Sequence, residues 1–157
     1  RKLFTLSAFY NACADLLAGL ATGNLIEDAN LARKFWEATA KHFPIWKQVL
    51  KGVLPASEIR EGYIHSHGIA LQSIAKAGND LLQFDEKNWL KYLKDLEKID
   101  WSRANTKLWE GRAMMGGKIS KSSINVVLTT NVIKKQWGLQ LSEEEQRIED
   151  LHIKNKH

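Results

Sequence analysis

Proline occurs twice in this chain, at Pro44 and Pro55, and not once in the long stretch that follows. A residue that removes a backbone donor and clashes with the preceding turn is the strongest local break on a helix. Its scarcity lets the apolar periodicity run in helices, punctuated by glycines and capping residues. Leu3 to Leu20 reads as a first helix, closed by the turn Ala21-Thr22-Gly23-Asn24. Asp28 to His42 reads as a second, with Leu31, Phe35, Trp36 and Thr39 at helical spacing. Pro44 starts a short third segment, Ile45 to Leu50, which ends at Gly52.

Ser57 is placed to cap a fourth and longest helix, Glu58 to Leu82. Ile64, His67, Leu71, Ile74 and Gly78 fall on one stripe of it, and Gly78 there implies close packing against another helix. Asp85 predicts the N-cap of a fifth helix running to Ile99, with Phe84 and Trp89 as a hydrophobic staple. Asp100 to Lys118 contains Gly111, Gly116 and Gly117 and reads as an irregular connection. Ser120 predicts the cap of a sixth helix, Lys121 to Trp137, ended by Gly138. Its β-branched middle, Val126 to Thr130, leaves a strand open as the alternative. Ser142 with Glu145 forms a capping box and predicts a seventh helix from Glu143 to about Lys154. The expected fold is all-α: one domain over residues 1–157, a compact bundle of six or seven helices with a Gly-rich irregular segment near 100–118.

At 157 residues, 44% hydrophobic and 26% charged, the chain is long and apolar enough to build a core without covalent staples. Cys13 has no partner, which fits a reducing compartment and a small side chain taken into the interior. The apolar run from Ala12 to Ala21 is interrupted by Asp15 and is too short to span a bilayer. No signal-peptide pattern precedes it, so a cytoplasmic location is expected, and a chain opening on Arg1 is expected to be a fragment of a longer one.

The net charge of +5 is unevenly distributed. Residues 1–100 and 139–157 are nearly balanced, whereas residues 101–138 carry Arg103, Lys107, Arg112, Lys118, Lys121, Lys134 and Lys135 against Glu110 alone. A localised positive field favours polyanions, nucleic acid first and an acidic membrane second; a solvated surface with fortuitous charge is the plainer alternative. Lys134 and Lys135 fall in the last turn of the sixth helix, where they suit its dipole and need no functional explanation.

Within the block, Gly111 to Ser120 is superficially like a phosphate-binding P-loop, but Gly117 stands where the lysine belongs and Ile119 follows Lys118. It reads better as an anion cradle. Gly116 and Gly117 leave backbone N–H groups open, Ser120, Ser122 and Ser123 add hydroxyls, and the start of the sixth helix points its positive end the same way. A glycine turn with solvated lysines is the alternative. Trp101 and Trp109 are candidates for base stacking, although most of the six tryptophans read as core anchors.

His65-Ser66-His67 is a poor metal site. On a helix, residues two apart point about 200° from each other and cannot share an ion. His67 lies on the apolar stripe and reads as a core histidine, with His65 on the other side. No nucleophile–base constellation can be assembled, so no catalytic residue, metal or cofactor is expected.

Asp100-Trp101-Ser102-Arg103, Trp109-Glu110-Gly111-Arg112 and Gly116-Gly117-Lys118-Ile119-Ser120-Lys121-Ser122 together resemble the C-terminal part of the DndB family. Asn125 to Asn131, Leu141 to Gln146 and, upstream, Gly62 to Gly68 are similar to it too. The resemblance is specific in the last third and vague before residue 50. DndB is the DNA sulfur modification protein of the phosphorothioation gene cluster, within the wider DGQHR-domain group. The resemblance implies a DNA-binding transcriptional regulator, a repressor acting on promoter DNA beside the sulfur-transfer enzymes rather than one of them. The Asp-Gly-Gln-His-Arg motif is absent here, so the chain would be a C-terminal domain.

The expected partner is therefore double-stranded DNA from the promoter of the modification genes, with no membrane contact. Arg103, Lys107, Arg112, Lys118 and Lys121 are expected on phosphates, with Gly116, Gly117, Ser120 and Ser122 donating hydrogen bonds. Base readout would fall to Asn125, Arg112 or a missing half. Two alternatives stand beside this. One is a protein-interaction or homo-oligomerisation domain that buries the apolar first helix and the aromatic second. The other is an enzyme fragment binding nucleotide phosphates at Gly111 to Ser120.

Overall fold

The computed structural model describes residues 2–156. Eight α-helices run in the order α1 (Leu6–Leu17), α2 (Leu25–Ala40), α3 (Pro44–Leu50), α4 (Ala56–Gly62), α5 (Gly68–Phe84), α6 (Thr106–Trp109), α7 (Ser123–Gln136) and α8 (Glu143–Lys156). Two 3-10 segments, Ile64–Ser66 and Trp89–Lys98, flank α5. Among the described residues a single hairpin, β1 (Met114–Met115) with β2 (Lys118–Ile119), precedes α7. The fold is all-α, as expected. No described helix is long and apolar enough to cross a membrane.

Local chemistry fixes most helix starts. Thr5 Oγ1 accepts from Ala8 N at 3.0 Å to cap α1. Asn24 accepts from Ile26 N and Glu27 N to cap α2, whose first turn carries Glu27 and Asp28 toward the positive end of its dipole. Pro44 opens α3 where its missing N–H is no loss. Ser142 and Glu145 close the expected capping box on α8: Glu145 N donates to Ser142 Oγ at 3.2 Å and Ser142 N to Glu145 Oε1 at 2.8 Å.

α5 is the central helix. It buries Ile69, Leu71, Ile74, Ala77 and Leu81 and packs against both α1 and α7. Gly78 does mark a close approach: a Cβ there would lie 2.5 Å from Phe35 Cζ. The main core gathers α1, α2, α5, α7 and the 89–98 segment around Phe35, Trp36, Trp89, Trp101 and Trp109. A smaller cluster of Leu3, Val49, Ala56 and Ile59 sits beneath α3 and α4.

Several expectations need correction. The long helix Glu58 to Leu82 is broken between Gly62 and Gly68. Tyr63 is extended (φ −136°, ψ 138°), Ile64 N donates to Trp101 O at 2.8 Å and Arg103 N to Gly62 O at 2.9 Å. Backbone pairing with residues 101–103 has replaced the helical ladder. Ser66 Oγ completes the break by donating to the carbonyls of Ile59 and Tyr63. The histidine roles consequently exchange, because a broken helix no longer separates the pair by a helical angle. His65 is the buried one, stacked on Tyr63 at 4.9 Å and accepting at Nδ1 from Trp46 Nε1, whereas half-buried His67 places Nε2 2.7 Å from Arg60 O.

The Asp85 to Ile99 helix is a 3-10 helix that begins only at Trp89. Its staple does not form: Phe84 is exposed and meets Tyr92, while Trp89 turns inward to Phe35. The stretch 100–118 is more ordered than expected, holding α6 and β1. Finally, the sixth predicted helix starts at Ser123, capped by Ser122 rather than Ser120. It is helical despite its β-branched middle because it buries Val126, Leu128 and Ile133 and packs against α5; Thr129 and Thr130 satisfy their buried hydroxyls on the carbonyls of Asn125 and Val126 at 2.8 and 2.7 Å.

Candidate nucleic-acid interface

Gly116 and Gly117 form the two-residue turn of the hairpin, with φ of 61° and 77°. Only glycine takes two successive positive φ values without strain, and this conformation matches the twist of the flanking strands. The turn's N–H groups converge as an anion cradle should, but the anion is the chain's own. The Glu110 carboxylate accepts from Gly116 N and, at 3.2 Å, from Gly117 N. The expected phosphate cradle is therefore filled from within, which also removes the basis for a nucleotide site at Gly111 to Ser120.

Arg103 fixes the same turn from outside it. Its Nη2 donates to Gly117 O at 2.9 Å and its Nη1 to Arg60 O at 3.1 Å. That guanidinium thus ties the hairpin to α4, whose last turn carries Arg60. His67 donates to the same Arg60 carbonyl, at 2.7 Å, if its Nε2 carries the proton. Burial lowers the pKa of His67; the bond to Arg60 O opposes this, and the charges of Arg103, Arg60 and Lys121 lower it further. Four basic groups from three distant parts of the chain thus share one neighbourhood. Lys118, next to Gly117, and Lys121 are both exposed.

The block of cations splits in two. Among the described residues, Arg60, Arg103, Lys107, Lys118 and Lys121 have no carboxylate within 4.0 Å, whereas Arg112, Lys134 and Lys135 each do. Arg112 is 9% exposed and makes a two-pronged pair with Glu149, at 2.8 and 2.6 Å, while donating to Leu128 O. It cannot reach phosphate or base. Arg112 heads the causes that pull the Glu149 carboxyl down to about 2 against its own burial, with Asn131 and Lys135 adding to it. Lys134 is 4% exposed and lies between Asp80 at 2.6 Å and Glu145 at 2.7 Å, joining α5, α7 and α8.

Asn125 is also withdrawn from base readout. It is buried, its Nδ2 donates to the carbonyls of Gly111 and Arg112, and its Oδ1 accepts from the hydroxyls of Ser120 and Ser122. Those two serines, expected as phosphate donors, are engaged in holding this node. Lys107 is exposed on α6, where its carbonyl receives the ammonium of Lys156 from the end of α8. Trp101 and Trp109 stack on each other at 5.4 Å and are 6% and 0% exposed, so neither is open to a base. Of the expected set, Arg103 and Lys121 come together about His67, where Arg60 joins them, and Lys118 follows the glycine that Arg103 holds. No local pattern announces Arg60 and His67: they reach the cluster through the break in the predicted long helix. Among the described residues there is no group of three or more side chains suited to a metal ion.

No match to a curated protein was found, and none to a solved structure. A family model does match, and it begins at residue 1, so the likeness extends through the segment before residue 50 and stops short of α8. With residues 1–140 of its 157 matched, the chain belongs to the DndB family, described as DNA-sulfur modification-associated.

Proposed function

We propose that this chain is a DNA-binding regulatory module of the DNA sulfur modification system, acting in the cytoplasm on the promoter of the modification genes. Membership of the family supplies the system. The observation that carries the DNA-binding reading is the convergence of Arg60, Arg103 and Lys121 about His67, with Lys118 beside them and no carboxylate against any of the four cations among the described residues. Uncompensated cations held close together repel one another, and a phosphodiester backbone relieves that repulsion. The contacts are to phosphate, so they set position and affinity more than sequence.

The test is fluorescence-anisotropy binding of a promoter duplex and a scrambled duplex across a salt series. Engagement of three or four phosphates gives log K against log salt a slope of about −3 to −4, at roughly −0.9 per contact. The Lys118→Ala/Lys121→Ala variant should flatten that slope by about two. No binding at low salt would overturn the reading.

One observation favours self-association instead. α1 carries a single charged residue, Asp15, yet leaves Leu6 and Tyr10 more than 70% exposed. Sedimentation velocity distinguishes this: a monomer across the micromolar range removes it.

A further inference from the structure

We propose that the β1–β2 hairpin is a wedge for duplex DNA, with Met115 as the apolar side chain that meets the bases and Lys118 on the adjoining phosphate. The inference rests on the DNA-binding reading above and adds the mode of contact and the residue that makes it.

The register sorts the four strand residues into two faces. Met114 pairs with Ile119 and is 2% exposed, facing the core; Met115 pairs with Lys118 and is 56% exposed, facing out. An unbranched apolar side chain therefore stands directly across the ladder from a lysine free of any carboxylate among the described residues. A hairpin with two-residue strands would sway if left to itself. Here Glu110 holds the N–H groups of both turn glycines, and Arg103 holds the carbonyl of Gly117. Two charged side chains thus fix a turn that contributes only Met114 and Ile119 to the interior. The tip is ordered before any partner arrives, which lowers the entropy lost on binding.

The surroundings point to the same occupant. Met115, Ile124 and Leu151, all substantially exposed, line a groove of about 670 Å³. Lys118 stands across the hairpin from Met115, and Lys156 lines the groove itself together with Glu110, whose carboxylate is already taken up by the turn N–H groups. An apolar wedge flanked by unpaired cations complements a ligand with apolar faces inside and anions outside. Duplex DNA is built that way, and apolar side chains that enter between base steps are commonly flanked by basic ones.

The experiment uses the whole chain and a duplex carrying 2-aminopurine, whose fluorescence rises when its stacking is disturbed. Wild type should raise that fluorescence on binding. Met115→Ala should bind about five- to tenfold more weakly with an unchanged salt slope, and should lose the rise. Met115→Leu should keep both. Lys118→Ala should lower the slope by about 0.9 and retain the rise at saturation. If wild type binds but shows no rise, and Met115→Ala binds equally well, the wedge is overturned while the phosphate grip stands. If Met115→Ala changes the sedimentation of the free protein instead, the groove is a protein contact and the wedge is again overturned. If wild type binds no duplex at low salt, the reading beneath it has failed first.

Discussion

Phe35 has no exposed surface, and its ring edge lies where a Cβ on Gly78 would have to go, 2.5 Å from Cζ and 2.8 Å from Cε2. Leu16 Cδ1 stands 3.0 Å from the same point, and the ring itself is packed against Trp36 and Trp89. Overpacking of this kind costs about 1–3 kcal/mol, well above the small gain in helix propensity. Gly78→Ala should therefore lower the urea midpoint, and an unchanged midpoint would show that α1 and α2 can slide apart. His65 makes a second prediction at this scale. Burial depresses its pKa from 6.5 to about 4, against the pull of a backbone hydrogen bond. The folded state disfavours the protonated imidazole, so its stabilising contribution is complete above pH 6.5 and is lost as the pH falls toward 4. The loss is on the order of 3 kcal/mol. Denaturant midpoints should drop between pH 7 and 5 in the wild type, and His65→Gln should flatten that drop.

At the scale of elements, α8 is held by charge more than by apolar burial, since Glu149 is its one fully buried residue. Glu149 neutralises Arg112 and accepts from Asn131 Nδ2 at 3.1 Å; Glu145 meets Lys134. Removing one member leaves a buried charge uncompensated, so Glu149→Leu should cost about 3–5 kcal/mol. The pair Arg112→Met/Glu149→Leu should recover most of that, measured by urea unfolding. A double variant no better than the single would mean that the hydrogen bond from Asn131 to Glu149, rather than the charge pair, holds α8. The elements also show what local pattern reveals. Caps at Ser142 and glycines at chain turns depend on a few neighbouring residues, and they were readable. The break at Tyr63 depends on pairing with residues 101–103, so helical spacing through Ile64 and Leu71 concealed it, and with it the arrival of Arg60 and His67 at the candidate interface. The 3-10 helix did leave a trace: Leu90, Leu93, Leu96 and Ile99 recur every three residues, a period that stacks them on one edge of a 3-10 helix and spreads them around an α-helix. Arg112 and Lys118 look alike in sequence, and only the fold decides which of them meets a carboxylate.

For the whole molecule, the net charge of +5 is a poor guide to where a polyanion would sit. Arg112, Lys134 and Lys135 are matched internally by Glu149, Asp80 and Glu145, which leaves the outward field concentrated around Arg60, Arg103, Lys118 and Lys121. Screening confines such a field to about 10 Å at ordinary ionic strength, so position should matter more than total charge. Lys121→Ala and Lys135→Ala remove the same formal charge, and both side chains stand at the surface. If the patch is the grip, Lys121→Ala should lower the salt slope of DNA binding by about 0.9 and Lys135→Ala should leave it unchanged. Equal effects from the two would mean that the overall charge attracts DNA without a defined site, and the cluster about His67 would then be a structural joint between α4 and the hairpin. Unequal effects in the expected order would fix the DNA face on the side of the molecule where the hairpin, α4 and the start of α7 meet.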